Sequence, residues 1–544
     1  MTTLKTRYHH TQYKCPTQIR LPNKRYRHFI IGAVCSLFCH LAGSTDIASE
    51  PVNLPLPAKP NLMMLLDDSG SMLYMYTPDY VAVGIADAAE YKHCLGSAEQ
   101  GLQTRQGCWV GDPPVMSPDF NTQYYNPEIR YLPAVNSDGT SKPSMTSANT
   151  NNWKAVSTDG VSINDDTRKT MQDGFQGGGQ ITQTQDLVTG FPDRAWCNNA
   201  NTNANTPSGS TNCRFNGKQS NGEPSQYNYP NGSYGYGNYN GAKQYGYGSA
   251  YYYRIQVTEY CADVALKECK TATSPTSVGG VVYSYPARVR FCTDSSRSSC
   301  QGTRTKENYF PNFLKPNPIA SETFIAGNVF TRTNIVPENT YTRYPDRSDC
   351  ASPTSCTYDE EMTNFANWFA YHRTRSTMAK TVLGRTFYGL DSNTRIGFAT
   401  FNFDPSRFLG ASEFTSAQKS SWFDKLYRVG NNGGTNTREA LARIGHYYAN
   451  INTVYTGMPS SPIQLSCQQN FTLLATDGYW GDGVKTPTGK NLSGADIGNT
   501  DGTNNGYSTR AAAAYDANAS SGSLADMAMY FFANDLRPDL TNNV

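Results

Sequence analysis

The hexapeptide at residues 61–66 (NLMMLL) constrains the fold of this chain more than any other feature. It follows three closely spaced prolines and is followed at once by residues 67–71 (DDSGS). A strand that is apolar at nearly every position must be covered on both faces, as a central strand of a parallel sheet is. The polar residues that follow are then expected in a loop at the carboxyl edge of the sheet, where α/β folds bind ligands.

The last third of the chain alternates helical and strand-like patterns. Apolar residues recur at helical spacing from Tyr358 to about residue 387 and include Met378 and Val382. Further strands are predicted at residues 395–402 and 471–476, and further helices at residues 416–427, 437–448 and 523–536. This order predicts an α/β fold with a doubly wound, mostly parallel sheet that resumes near residue 358.

A long polar region separates the first strand from the rest of this domain. Residues 73–357 are rich in Asn, Gly, Ser, Thr and Tyr, and residues 227–253 alternate Tyr with Gly and Asn. We therefore expect residues 49–72 and 358–544 to form one domain, split by a large β- and loop-rich insertion. The tyrosine tract is either a binding surface, because tyrosine offers contact area at low entropic cost, or a flexible loop.

Most cysteines of the chain fall into close couples within this insertion. Short-range disulfides across polar loops indicate an oxidising compartment. A zinc site is the rival interpretation, but the sequence contains no CxxC motif. Cys467 is left without a partner. By proximity alone, the predicted disulfides join Cys94 to Cys108, Cys197 to Cys213, Cys261 to Cys269, Cys292 to Cys300, and Cys350 to Cys356.

The amino terminus has the pattern of a secretory signal peptide. Residues 1–44 contain seven of the 46 basic residues and no acidic residue, and an apolar run at 29–41 is followed by small residues up to 48. We therefore predict cleavage of residues 1–48 and no transmembrane span afterwards. Outside residues 1–44 the chain holds 39 basic against 44 acidic residues, a balance that does not suggest a basic nucleic-acid footprint.

Oxygen-bearing side chains occur at three places that the predicted sheet would bring to one edge. Asp67, Ser69 and Ser71 follow the first strand, Thr435 lies in a Gly-Gly-Thr loop before a helix, and Asp477 follows the strand at 471–476. Carboxylate and hydroxyl oxygens suit Mg²⁺ or Ca²⁺, with Mn²⁺ also possible. Two carboxylates do not fill the coordination sphere, so such a site would accept water or an acidic group of a partner.

These residues resemble the metal-ion-dependent adhesion site (MIDAS) of the von Willebrand factor A family, with its pattern DxSxS…T…D. The resemblance implies that Asp67, Ser69, Ser71, Thr435 and Asp477 hold a divalent metal, some directly and some through water. Asp68 is expected to face away from the ion. This resemblance favours partner binding over catalysis.

The wider chain resembles the PilC/PilY family of type IV pilus tip-associated proteins. The resemblance rests on LLDDSGSM, the Cys- and Tyr-rich insertion, NFANWFAYHRTRSTMAK, GGTNTREAL and LLATDGYW. It implies a pilus biogenesis factor and adhesin, exported through the periplasm to the cell surface, pilus tip or outer membrane. The implied partners are pilin or minor pilins and a host-cell or surface ligand with an acidic group.

The final residues, DLRPDLTNNV, resemble the family's junction with a carboxyl-terminal β-propeller. In the family that propeller carries a calcium loop implicated in pilus extension and retraction, which underlie twitching motility. We expect this chain to lack it and do not carry its functions over.

Catalysis has little support in the sequence. Neither HExxH nor GxSxG occurs, and only three histidines follow the predicted signal peptide. We therefore predict that the chain is not an enzyme. Two alternatives remain, namely a structural pilus-tip or surface-sensing component whose metal only stabilises the fold and, more remotely, an exported metal-dependent hydrolase.

Overall fold

The computed structural model describes residues 58–78, 115–162, 184–193, 196–197, 213–214, 229–230, 246–293, 299–304, 310–311, 330–431, 433–477, 488–500 and 521–540. Its helices are α1 (Tyr358–Tyr371), α2 (Arg375–Phe387), α3 (Ser416–Tyr427), α4 (Thr437–Tyr448) and α5 (Leu524–Ala533), with 3-10 turns at Gly70–Leu73 and Ala148–Thr150. Its strands are β1 (Asn61–Leu66), β2 (Val156–Ser157), β3 (Thr184–Gln185), β4 (Phe191–Asp193), β5 (Trp196–Cys197), β6 (Cys213–Arg214), β7 (Tyr229–Pro230), β8 (Gly246–Gly248), β9 (Tyr251–Ile255), β10 (Glu259–Cys261), β11 (Cys269–Thr271), β12 (Thr276–Val278), β13 (Val281–Tyr283), β14 (Tyr285–Ala287), β15 (Phe291–Cys292), β16 (Cys300–Gln301), β17 (Phe310–Pro311), β18 (Phe330–Asn334), β19 (Tyr341–Thr342), β20 (Ser355–Cys356), β21 (Arg395–Thr400), β22 (Leu409–Glu413) and β23 (Asn470–Ala475).

The apolar run predicted as a central strand is β1, and it lies inside a four-stranded sheet. The strand order is β22-β21-β1-β23. β1 runs parallel to both neighbours, with Leu66 opposite Thr400 on one side and opposite Ala475 on the other. The carboxyl ends of these three strands therefore meet at one edge. β22, which the sequence analysis missed, is a short antiparallel strand at the outside of the sheet.

Helices cover both faces of this sheet. Consecutive residues of β1 point to opposite faces, which explains why they are all apolar from Leu62 to Leu66. Met64 and Leu66 pack into one core with residues of α1, α2 and α3. Met63 and Leu65 pack into a second core with residues of α4. All four side chains are buried. The prediction of a mixed α/β fold with a mostly parallel sheet is confirmed.

The prediction of one helical stretch from Tyr358 to residue 387 is wrong in one respect, because the structure has two helices there. α1 ends before His372, and Thr374 takes an extended conformation that caps the amino terminus of α2 through a reciprocal hydrogen bond with Thr377. The intervening non-helical residues change the phase of the apolar pattern. Met378 and Val382, expected on the buried face, are therefore 37% and 51% exposed.

The described part of the insertion shares a core with α1. Tyr125 and Trp153 belong to the same cluster of buried side chains as Phe365 and Trp368. Most of its strands are only two or three residues long, so packing of aromatic rings against α1 supplies the stabilisation that backbone pairing alone would not.

Three of the predicted disulfides are confirmed, and they join Cys261 to Cys269, Cys292 to Cys300, and Cys350 to Cys356. The backbones of Cys197 and Cys213 face each other across β5 and β6, but their side chains lie outside the described residues. Cys94 and Cys108 also lie outside them. Cys467 is an exposed free cysteine.

The predicted signal peptide, residues 1–48, lies outside the part of the chain that the structure describes. Among the described helices, none is both long enough and apolar enough to cross a membrane.

One ion pair between the insertion and α1 is completely buried. Arg347 Nη1 lies 2.6 Å from Glu361 Oε2, and neither side chain is exposed to solvent. Tyr125 donates a hydrogen bond to the other oxygen of Glu361, and Arg347 also donates to the carbonyl of Pro127. Burial raises the pKa of Glu361, and the charge of Arg347 opposes that rise. This network fixes residues 125–127 and 347 against the helix.

The junction between α1 and α2 gives the fold a pH dependence. Burial lowers the pKa of His372 from 6.5 to about 4, although its ring Nε2 hydrogen-bonds to the carbonyl oxygen of Leu132. Below pH 6.5 the unfolded chain therefore binds a proton that the folded chain does not. His372 thus costs the folded state no stability above pH 6.5, and its contribution falls by about 3 kcal/mol as the pH drops to about 4.

We expect His372→Gln to flatten this pH dependence, because glutamine can still donate to Leu132 but does not titrate. The measurement is urea unfolding of both proteins at several pH values between 6.5 and 4. Parallel stability curves for the two proteins across this window would contradict the assignment.

Candidate metal centre

The loop after β1 carries three of the predicted ligands and is folded around Asp67. Asp67 is fully buried, and its Oδ1 accepts a hydrogen bond from the backbone amide of Ser69 at 2.8 Å. Its Oδ2 accepts from the hydroxyl of Thr476 at 2.7 Å. The hydroxyls of Ser69 and Ser71 lie 3.0 Å apart. The alternate spacing of these residues therefore places three oxygen-bearing side chains together on one turn.

The Gly-Gly-Thr loop lies directly beside this turn. The amide of Gly70 donates to the carbonyl of Gly433, and the amide of Gly433 donates to the carbonyl of Asp68. A Cβ atom at Gly433 would overlap the side-chain amide of Asn402, so only glycine permits this close approach. Thr435, half-buried, lies two residues further along. Two backbone hydrogen bonds thus join the segments that carry Ser69 and Thr435.

Asp477 lies at the end of the adjacent strand and is paired with an arginine. Its Oδ2 accepts a hydrogen bond from Arg375 Nη1 at 2.8 Å, and the two side chains are only 4% and 6% exposed. Burial raises the pKa of Asp67, hydrogen bonds from Ser69 and Thr476 oppose the rise, and the negative charge of Asp477 adds to it. The two carboxylates are therefore close enough to interact, and a positive charge between them would be favourable.

Asp68 makes a separate set of contacts. Its Oδ1 accepts from both the backbone and the side-chain amide of Asn402, at 3.0 and 2.7 Å. Its Oδ2 lies 3.5 Å from Arg407. The side chain of Asn402 also donates to the carbonyl of Gly434. Asp68 therefore ties the loop after β21 to the Gly-Gly-Thr loop, whereas Asp67 faces Thr476 at the end of β23.

The donor set fits a hard divalent cation. Adjacent ligands in an octahedral Mg²⁺ site are about 3.0 Å apart, given metal–oxygen distances of 2.0–2.1 Å, and the Ser69 and Ser71 hydroxyls have this spacing. Among the described residues, no group of three or more His, Cys, Asp or Glu side chains could hold a metal ion. The oxygens here come from two carboxylates and several hydroxyls, which suits Mg²⁺ or Ca²⁺ and not zinc.

Sequence reasoning missed two residues at this edge of the sheet. Thr476, next to Asp477, donates to Asp67 instead of pointing away from it. Arg375 lies 102 residues before Asp477 and belongs to a helix, so no local pattern connects the two. The pairing of Arg375 with Asp477 is visible only in the tertiary structure, where the amino terminus of α2 reaches the carboxyl edge of the sheet.

Comparison with known proteins gives one consistent result. The chain is 30% identical over 230 residues to the type IV pilus biogenesis factor PilY1 of Pseudomonas aeruginosa strain PAK. The aligned region covers 38% of this chain and 19% of that protein. It is 28% identical over 205 residues to PilY1 of strain PAO1, an alignment that covers 34% of this chain and 17% of that protein. It is 31% identical over 209 residues to PilY1 of strain UCBPP-PA14, an alignment that covers 36% of this chain and 16% of that protein.

These similarities have a limited extent. The chain spans less than a fifth of the length of the curated relatives it matches. No family model matches the chain, and no solved structure matches it.

Proposed function

We propose that this chain, which is related to the PilC/PilY family of type IV pilus proteins, acts in type IV pilus biogenesis and as a tip-associated adhesin that binds its partners through a divalent-metal site. The family relationship rests on the three PilY1 proteins, which are named as type IV pilus biogenesis factors. The metal-dependent mechanism, the von Willebrand factor A assignment and an extracellular location at the pilus are parts of the same proposal.

The observation that carries the mechanism is the meeting of three distant segments at one edge of the sheet. The loop after β1, the Gly-Gly-Thr loop and the end of β23 are joined by hydrogen bonds from Gly70 to Gly433 and from Thr476 to Asp67. The protein's own hydrogen bonds already join these segments. This favours a metal used for binding over one used only for stability.

The proposed ligands are Asp67, Ser69, Ser71, Thr435 and Asp477. A bound Mg²⁺ or Ca²⁺ would supply an open coordination position for an acidic group of a partner, such as a carboxylate on a pilin, a minor pilin or a host-cell ligand. The protein's contribution is to orient the oxygens, and the Ser69 amide and the Thr476 hydroxyl already fix Asp67. Among the described residues, the Ser69 and Ser71 hydroxyls hydrogen-bond to each other and not to a histidine, as a catalytic serine would, which supports binding over hydrolysis.

The proposal predicts that binding to pili requires metal. The chain, produced in an oxidising compartment, is expected to bind purified type IV pili and host cells with Mg²⁺ or Ca²⁺, and to lose that binding with EDTA. Asp477→Asn is expected to show the same loss, because the amide cannot supply a charged oxygen. Binding is measured by pull-down and surface plasmon resonance, and thermal melts establish that each variant is folded.

Asp424→Asn is the matched control, since Asp424 is 42% exposed on α3, pairs with Arg428 and is not a proposed ligand. It should bind as the wild type does. If chelator and Asp477→Asn both leave binding intact, the metal site is not the adhesive contact. If catalytic turnover of a candidate substrate appeared and depended on Asp477, the hydrolase alternative would replace the proposal.

A further inference from the structure

Arg375 makes contacts that a purely structural arginine of α2 would not need. Its Nε donates to the carbonyl of Tyr76 at 2.9 Å, and its Nη1 donates to Asp477 Oδ2 at 2.8 Å. Its guanidinium lies 5.2 Å from the ring centroid of Tyr76 and 5.6 Å from that of Tyr74, and these two rings stack on each other. The side chain therefore bridges the segment just after Ser71 and the strand end that carries Asp477.

The first turn of α2 contacts the third segment of the site as well. The hydroxyl of Ser376 donates to Asn431 at 2.7 Å, shortly before Gly433. The backbone amide of Arg375 donates to the carbonyl of Tyr74. All three segments with predicted ligands thus adjoin one helix terminus, and Arg375 is the residue there that holds a ligand carboxylate.

We propose that Arg375 is a built-in competitor of the divalent cation, pairing with Asp477 when no metal is bound and leaving this carboxylate when metal binds. This inference rests on the proposed metal site. The guanidinium and a divalent ion are both positive and would use the same carboxylate, so their simultaneous close approach is unfavourable. Because both side chains of the pair are nearly buried, solvent screens this repulsion only weakly.

The competition predicts that removing the charge of Arg375 tightens metal binding. Arg375→Gln keeps a side chain that can hydrogen-bond to Tyr76 or Asp477 but carries no charge. We expect it to bind Mg²⁺ at least about tenfold more tightly than the wild type, by the size of charge interactions at partly buried sites. Arg375→Lys keeps the charge and should stay close to the wild type. Isothermal titration calorimetry with MgCl₂ and with CaCl₂ measures these affinities.

Arg407→Gln is the matched control. Arg407 is also an arginine beside a carboxylate of the loop after β1, but it lies 3.5 Å from Asp68, which is not a proposed ligand, and is 27% exposed. It should change the metal affinity much less than Arg375→Gln. Equal tightening by both variants would mean that general electrostatics acts, and it would overturn the specific role of Arg375.

A second measurement uses the wild-type chain and does not depend on how any variant folds. Phenylglyoxal modifies accessible guanidinium groups, and peptide mapping by mass spectrometry locates the modification. Arg375, shielded in the pair with Asp477, is expected to become several-fold more reactive with saturating Mg²⁺, while Arg428, exposed on α3, should not change.

The outcomes separate this inference from the function on which it rests. If neither the wild type nor Arg375→Gln binds Mg²⁺ or Ca²⁺, the proposed metal site fails and the competition fails with it. If the wild type binds metal but Arg375→Gln binds no more tightly, or if metal leaves the reactivity of Arg375 unchanged, only the competition is overturned. Weaker binding by Arg375→Gln would instead make Arg375 a positioning residue for Asp477.

Discussion

Removal of the hydroxyls of Ser69 and Ser71 is expected to abolish metal binding while leaving the fold intact. The two hydroxyls are 3.0 Å apart and bond to each other, so the double variant Ser69→Ala/Ser71→Ala removes both partners of this bond and leaves no hydroxyl unpaired. Asp67 loses the side-chain hydrogen bond from Ser69. Asp67 keeps its hydrogen bonds from the Ser69 amide and the Thr476 hydroxyl. Loss of two of the proposed ligands should weaken metal affinity by more than about 100-fold, the upper end for residues that only support ligands.

Thermal and chemical unfolding with and without Mg²⁺ measure this effect. The wild type should gain about 2.7 kcal/mol of stability when free metal is 100 times the dissociation constant, and the double variant should gain nothing at the same concentration. Ser277→Ala/Ser421→Ala, which alters two exposed serines that are not among the proposed ligands, serves as the control. Equal stabilisation of all three proteins by metal would place the ion elsewhere.

Replacement of Arg347 by methionine is expected to lower the free energy of unfolding by about 3–5 kcal/mol. The change leaves Glu361 fully buried without its cation, and the methionine cannot replace the hydrogen bond to Pro127. Because the network joins residues of the insertion to α1, the packing of the insertion against α1 should also be weakened. Urea unfolding followed by tryptophan fluorescence measures the loss, since Trp368 lies in the same core.

Two further variants determine whether the uncompensated charge is the cause. Arg347→Met/Glu361→Gln removes both charges and should recover part of the lost stability, because the glutamine still accepts from Tyr125. Arg428→Met breaks an exposed pair with Asp424, in which both side chains are more than 40% exposed. It should cost less than about 1 kcal/mol. A loss of less than about 1 kcal/mol for Arg347→Met would contradict the role assigned to the buried ion pair.

Several parts of the fold could be predicted from the sequence because local physics determines them. The apolar run at β1 needs cover on both faces wherever it lies, and α3 and α4 have the predicted bounds because their apolar spacing is helical and they begin after Thr415 and Asn436. Cysteines eight residues apart pair across short turns in β10–β11 and β15–β16. The break between α1 and α2 escaped prediction because a capping box at Thr374 outweighed a continuous apolar pattern.

The sequence by itself determined which oxygen-bearing residues belong to the candidate site, since each lies at the end of a strand or the start of a helix and parallel strands end at one edge. Only the tertiary structure decided what these oxygens contact. Thr476 turns toward Asp67, Asn402 holds Asp68, and Arg375 pairs with Asp477 across 102 residues of sequence. The physical reason is that strand and helix patterns depend on neighbouring residues, whereas the charge that balances a buried carboxylate can come from any segment that packing brings within reach.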